Sequence, residues 1–178
     1  MKKVIGENIT LRPLVPSDLD FLFSIENDER YWNVSGTTKP YSRELLKKYI
    51  EVSKQSLAEA KQYRFVIVKT ATTEQLGFID LFNYNQKEMS AGVGIIIDPN
   101  FQNQGFGTSA LDLLMHYCRE ELSLKILHCS IHSSNRYSMQ LFTKHGFVKT
   151  DYKKDDTSST DSSKNEIFLQ RSLNHPNE

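Results

Sequence analysis

The chain has 178 residues, with 22 lysines and arginines against 22 aspartates and glutamates and a hydrophobic fraction of 38%. That length suits a single domain with an ordinary core. The cancelled charge excludes a bulk polyanion partner such as nucleic acid and gives no pull toward an anionic membrane surface.

The N-terminal "MKKVIGENITLRPL" has no apolar stretch behind its lysines, so no signal peptide is expected. Residues 8–16 alternate apolar and polar and predict a first strand. Ser17 is expected to cap a helix, with Asp18 and Asp20 in its first turn and Leu19, Leu22 and Phe23 on one face. "RYWNVSGTTKPY" (30–41) reads as an irregular, aromatic-bearing connection. Ser42 opens a second helix whose apolar stripe runs Leu45, Leu46, Tyr49, Ile50 and on to Leu57. Two strands, 63–70 and 76–84, flank turn residues as a hairpin, and a third, 91–98, ends at Pro99.

After a glycine-bearing loop, a helix over 108–122 carries Leu111, Leu114, Met115, Cys118 and Leu122 at helical spacing. "LKILHCSIH" (124–132) alternates again, with Leu127, Cys129 and Ile131 on one face and Ile126, His128, Ser130 and His132 on the other. Cys118 and Cys129 both lie among apolar residues and are expected to be buried, reduced thiols. Asn135 starts another helix, ended by Gly146. "FVKTDYKK" and "EIFLQRSL" flank the polar run "DDTSSTDSSKN" as a long-looped hairpin, and 174–178 read as a frayed tail on a single domain spanning 1–173. No run approaches the ~18 apolar residues of a membrane span, so a cytoplasmic protein without membrane attachment is expected. The order of elements predicts a mixed α/β domain rather than a doubly wound one.

The loop "DPNFQNQGFGTS" (98–109) is where chemistry first suggests itself. A strand leads through Gly105 and Gly107 into a helix whose first amides have no internal partner. Those amides and the helix dipole favour an anion, and glycine lets the backbone approach it. Such a cradle works through N–H groups, so the loop's lack of lysine and arginine does not count against it. The same pattern also suits a plain connecting turn. A Walker A loop would need Gly-Lys-Ser/Thr, which is absent. The dinucleotide fingerprint would need a parallel βαβ unit, whereas the strands here read as antiparallel.

Gln102-x-x-Gly105-x-Gly107 resembles the Gln/Arg-x-x-Gly-x-Gly/Ala signature of the GNAT superfamily of N-acetyltransferases. "NRYSMQLFTKHGF" (135–147) is similar to that superfamily's second element, Asn-x-x-Ala/Ser-x-x-Leu-Tyr-x-Lys-x-Gly-Phe, at the right separation. "GFIDLFNYN…SAGVGIIIDPNFQNQGFG" is closer still to its ribosomal-protein-acetylating and spermidine/diamine-acetylating branches. The resemblance implies a mostly antiparallel sheet with splayed fourth and fifth strands and helices on both faces. It implies acetyl-CoA as co-substrate, no metal, and direct attack by an amine in a ternary complex. Partners would be a small-molecule amine or a protein N-terminus, with homo-oligomerisation open. An acyl-CoA-binding module with little turnover is the alternative.

Residue by residue, the resemblance puts Ile95, Ile96 and Ile97 beside the pantetheine arm. It puts Gln102, Asn103, Gln104, Gly105, Phe106, Gly107 and Thr108 around the pyrophosphate, and Asn135, Phe142 and Lys144 against other parts of the cofactor. Two positions depart from the pattern. Phe142 stands where a tyrosine general acid is common, leaving Tyr137 and Ser138 as displaced hydroxyls, and Gly92 stands where many relatives carry glutamate. Asp80 in "FIDLF" is the remaining carboxylate for a general base, and His128 with His132 could relay a proton. For the acceptor, the implied pocket includes Glu26, Asp28, Glu29, Tyr31, Trp32 and Tyr41 with the acidic residues of 151–161, and carboxylates beside aromatics suit a cationic amine.

Overall fold

The alternating segments pair into one sheet of eight strands in a computed structural model of the chain, which describes residues 2–35, 38–150 and 165–173. In chain order the strands are β1 (Val4–Ile5), β2 (Ile9–Pro13), β3 (Tyr63–Lys69), β4 (Gln75–Asn85), β5 (Ser90–Ile97), β6 (Ile126–His132), β7 (Val148–Lys149) and β8 (Glu166–Ser172). Across the sheet they run β1-β2-β3-β4-β5-β6-β8-β7, and every pair is antiparallel except β5 with β6. The helices are α1 (Leu19–Glu26), α2 (Glu29–Ser35), α3 (Arg43–Val52), α4 (Leu57–Ala60), α5 (Phe106–Glu120) and α6 (Arg136–Lys144).

Strand alternation sends side chains to two cores. One face buries Leu11, Phe65, Ile67, Ile79, Leu81, Val93 and Leu127 under α5, which contributes Ala110, Leu111, Leu114 and Cys118, and under Phe142 of α6. The other buries Val66, Val68 and Phe78 under Leu22 and Ile25 of α1 and Leu46 and Ile50 of α3. Helices therefore cover both faces, as the resemblance implied.

Some boundaries differ from the sequence expectation. Ser17 does not cap α1: a 3-10 turn over Pro16–Asp18 precedes the helix. Asp18 is 1% exposed and accepts two hydrogen bonds of 2.7 Å from Arg12, another from the Val15 amide and another from Gln75 Nε2. Its side chain thus serves tertiary pairing rather than the helix dipole. The 30–41 connection is partly helical, since α2 runs through Ser35. Leu57 is not part of the α3 stripe, because Ser56 caps a separate turn of helix there. Gly146 does end α6, with φ +76. Residues 151–164 and the tail from 174 lie outside the described residues. Among the described residues no helix is long and apolar enough to cross a membrane.

Candidate active site

The strands β5 and β6 are paired at Ser90 with Ile126, Ala91 with Leu127 and Gly92 with His128, and no further. Beyond Gly92, β5 continues to Ile97 paired only with β4, while β6 continues to His132 paired only with β8. The two strands therefore splay, leaving a wedge whose closed end is the Gly92–His128 pair. Along the wedge, one edge of β5 has no neighbouring strand among the described residues, which makes its backbone a template for an extended ligand. Ile95 and Ile97 pack toward the α5 core and Ile96 toward the α1 core. The Ile97 carbonyl is already engaged, accepting from Gln102 Nε2 at 2.9 Å and from the Tyr31 hydroxyl at 3.2 Å.

At the wide end of the wedge, β5 runs into the glycine loop. Helix α5 starts at Phe106, two residues earlier than the sequence pattern placed it, with Gly105 as its N-cap at φ +83. The first intrahelical bond runs from the Ser109 amide to the Gly105 carbonyl, so the N–H groups of Phe106, Gly107 and Thr108 have no helical acceptor. Asn103 also has a positive φ, +59, and the side chains of Gln102, Asn103 and Gln104 are exposed. Gln104 Nε2 ties the loop back to the Asn100 carbonyl at 3.0 Å. Positive charge, absent from the loop itself, approaches from β3, where Lys69 stands 5.0 Å and 5.8 Å from the Phe101 and Phe106 ring centroids while paired with Glu74.

On α6, Asn135 is the N-cap, accepting from the Ser138 amide at 3.1 Å. Tyr137 is 77% exposed and Lys144 is also exposed, while Ser138 is half-buried. Phe142 is 3% exposed and packs edge-on against Phe147, with ring centroids 5.0 Å apart. Its ring serves the core.

The face of the sheet opposite α5 carries the acceptor candidates. Asp80 does not stand alone there: Arg64 on β3 holds both its oxygens, with Nε–Oδ1 2.7 Å and Nη2–Oδ2 2.8 Å, and also donates to Glu26 at the end of α1. Tyr49 of α3 stacks on the guanidinium at 5.4 Å. Burial works against the Arg64 charge, but Asp80, Tyr49 and Glu26 outweigh it and raise its pKa. Burial likewise pushes the Tyr49 hydroxyl up to about 12, with Arg64 opposing. Trp32 Nε1 donates to the Glu26 carbonyl, closing α1. Asp28 pairs with Arg30, whose hydrogen bond lowers the carboxyl's pKa, and Glu29 is exposed. The Tyr41 backbone is clamped by Asn27, which receives its N–H at 2.7 Å.

Several participants escaped the sequence reading. Arg64 and Tyr49 lie in segments that read as strand and apolar stripe, and only the Arg64–Asp80 register exposes their shared role. Phe82 was unmarked too, yet its ring covers Gly92 and meets the His128 ring edge-on at 6.5 Å. Alternation along "YRFVIVK" and "FIDLFNY" would have put Arg64, Asp80 and Phe82 on one face, had the strand register been known. Among the described residues no group of three or more His, Cys, Asp or Glu side chains could hold a metal ion.

A family model described as an acetyltransferase (GNAT) domain matches residues 8–148. The spermidine N(1)-acetyltransferase of Escherichia coli K12 is 27% identical over 148 residues, covering 80% of this chain and 74% of that protein. An uncharacterized, SPbeta prophage-derived N-acetyltransferase of Bacillus subtilis is 25% identical over 144 residues, covering 81% and 78%. Among solved structures, spermidine N-acetyltransferase from Vibrio cholerae in complex with CoA and spermine superposes with a TM-score of 0.81 at 20% identity, covering 94% of this chain and 97% of that one.

Proposed function

The chain belongs to the acetyltransferase (GNAT) domain family, and on that premise we propose that it transfers acetyl from acetyl-CoA to a primary amine by direct attack within a ternary complex. The observation that carries the reading is the wedge between β5 and β6, open along one edge of β5 and ending in the unpartnered amides of α5. These features fit the two ends of an acetyl-CoA arm. An extended, amide-bearing chain can add to the β5 edge, and a pyrophosphate can accept from Phe106, Gly107 and Thr108. Lys144 and Asn135 flank the same opening from α6 in this reading.

The chemistry asks for few groups. A neutral amine attacks the thioester carbonyl, and the enzyme orients it, stabilises the oxyanion and removes a proton. Backbone N–H groups along Gly94 to Ile96 suit the oxyanion. A thiol with a reference pKa of about 8.5 is a tolerable leaving group, so the core position of Phe142 does not forbid turnover. Asp80 has both oxygens occupied by Arg64, so receiving a proton there would break one of those hydrogen bonds. Its fitting role is to hold Arg64 and, through it, Glu26.

The relatives that acetylate spermidine support a polyamine acceptor, with Glu26, Glu29, Tyr31 and Trp32 on the side from which it would enter. A protein α-amine is the rival acceptor, as the ribosomal branch suggests. Turnover of acetyl-CoA, followed as free thiol against spermidine, spermine and peptides with a free N-terminus, separates them: turnover with peptides alone ends the polyamine assignment. Burial of Phe142 and coverage of Gly92 by Phe82 favour a second reading, an acyl-CoA-binding module. Calorimetric binding of acetyl-CoA with no thiol release for any amine would establish it.

A further inference from the structure

Within the acetyl-transfer reading, we propose that His128 is the general base, acting directly or through one water at the closed end of the wedge. Its partner in the sheet is Gly92, and this is the last paired position before β5 and β6 separate. The side chain projects from the face opposite Leu127 and Cys129, which are buried in the α5 core. Register places Asp80 opposite Gly94 and Phe82 opposite Gly92 on that same face. Gly92 and Gly94 bring no side chain of their own to it, and the Phe82 ring lies over both glycines. Phe82 fills the space above Gly92 and presents its ring edge-on to His128, at 6.5 Å and 83°. The β4–β5 register shifts just after Phe82, with Asn83 at φ +50, a bulge that re-aims the strand at this point. The position where the resemblance implies a glutamate is thereby closed, and the titratable side chain paired beside it is His128.

Other ionisable groups on the same strands lie around it among the described residues. On β4, two residues before Phe82, Asp80 is compensated by Arg64, which also pairs with Glu26. From β8, Gln170 stands in register with His128, and Glu166 receives a hydrogen bond from Ser130. His132 lies along β6, with its Nδ1 against Ser134 Oγ at 2.7 Å. Before β5, Glu88 accepts from Ser90. In the proposed step the amine nitrogen forms a bond to the thioester carbon, and its proton passes to the imidazole. The C–S bond then breaks, and the imidazolium proton goes to the departing thiolate, a delivery that Phe142 cannot make.

The test uses the full chain with acetyl-CoA and the amine giving the highest wild-type turnover. His128→Gln is expected to lower kcat by roughly 100-fold while acetyl-CoA affinity and the thermal midpoint stay at wild-type values. The acid limb of the pH–rate profile, in the range where imidazole titrates, should vanish. His128→Ala should regain turnover when free imidazole is added, a response that a purely structural role would not give. If His128→Gln keeps both kcat and the acid limb, or if His128→Ala loses activity without any imidazole rescue, the proposal is overturned. A wild-type protein that binds acetyl-CoA but turns over no amine overturns the acetyl-transfer reading itself, and this inference with it.

Discussion

A Cβ placed on Gly92 would lie 2.4 Å from Cε2 of Phe82, so this glycine is the floor on which the Phe82 ring rests. Gly92→Ala should force the ring aside. Since the same ring meets His128, the shift should reach the closed end of the wedge. Overpacking of this kind typically costs about 1–3 kcal/mol, and Phe82→Leu in the same chain should recover part of it. Urea denaturation of the single and double variants checks the pair. If Gly92→Ala is as stable as wild type, the ring turns out of the way freely and the packing argument is wrong. Installing a carboxylate there, Gly92→Glu, should cost more and should not raise turnover.

Arg64 joins strand β4 to helix α1 by holding Asp80 and Glu26 at once. Its side chain is 16% exposed, against 22% for Asp80 and 14% for Glu26, so removing the cation strands two carboxylates in a site with little water. Arg64→Met should destabilise by about 3–5 kcal/mol. Asp80→Asn keeps the shape and loses the charge, and should cost about 1–3 kcal/mol. In kinetics, Asp80→Asn should lower turnover and weaken the amine more than acetyl-CoA, because Arg64, which holds Glu26, loses the charge of its second carboxylate partner. The acid limb of the pH–rate profile should persist in that variant. Disappearance of the limb in Asp80→Asn would move the base from His128 to Asp80.

The two loop glycines should respond differently. Gly105 is held at φ +83 with open space where a side chain would go, so the cost there is conformational: roughly 1–2 kcal/mol for an L-residue in left-handed backbone. If binding needs that backbone, Gly105→Ala weakens acetyl-CoA by about tenfold. A Cβ at Gly107 would meet Leu141 at 3.6 Å and Ile97 at 3.8 Å, ordinary contact distances. Gly107→Ala should therefore bind nearly as wild type. Calorimetric titration of both variants decides the matter, and equal losses at 105 and 107 would mean that sterics at the ligand, not backbone conformation, govern the loop.

Much of this architecture could be read before any coordinates, because the signals were local. The apolar runs of "YRFVIVK" and "AGVGIIID" between turn residues, the helical spacing of Leu111, Leu114, Met115 and Cys118, and the cap at Asn135 each lie within a few residues. What stayed hidden was pairwise and distant. Asp18 reads as a first-turn acid until Arg12 and Gln75 close on it. Asp80 reads as a solitary carboxylate until register sets Arg64 beside it. Phe142 reads as a missing tyrosine at a site, and it is a core residue against Phe147. For Asp80 the deciding fact is which strand lies next to which, and that is set by the whole sheet rather than by the segment.

The two cysteines give the fold an alkaline limit. Burial pushes the Cys129 thiol from 9.0 up to about 12 and the Cys118 thiol up further, so both stay protonated in the folded chain. In the unfolded chain they ionise near their ordinary value. Above that pH the unfolded state holds fewer protons than the native one, and stability falls as pH rises. Each thiol contributes a slope of up to about 1.4 kcal/mol per pH unit between the unfolded and folded values. Tyr49 and Tyr117, raised from 10.0 to about 12, add to the decline above pH 10. Urea midpoints measured from pH 7 to 10.5 should drop steadily beyond pH 9. Replacing both cysteines with alanine would leave a cavity cost at every pH but should flatten that drop. An equally steep decline in the double variant would assign the alkaline lability to groups other than the thiols.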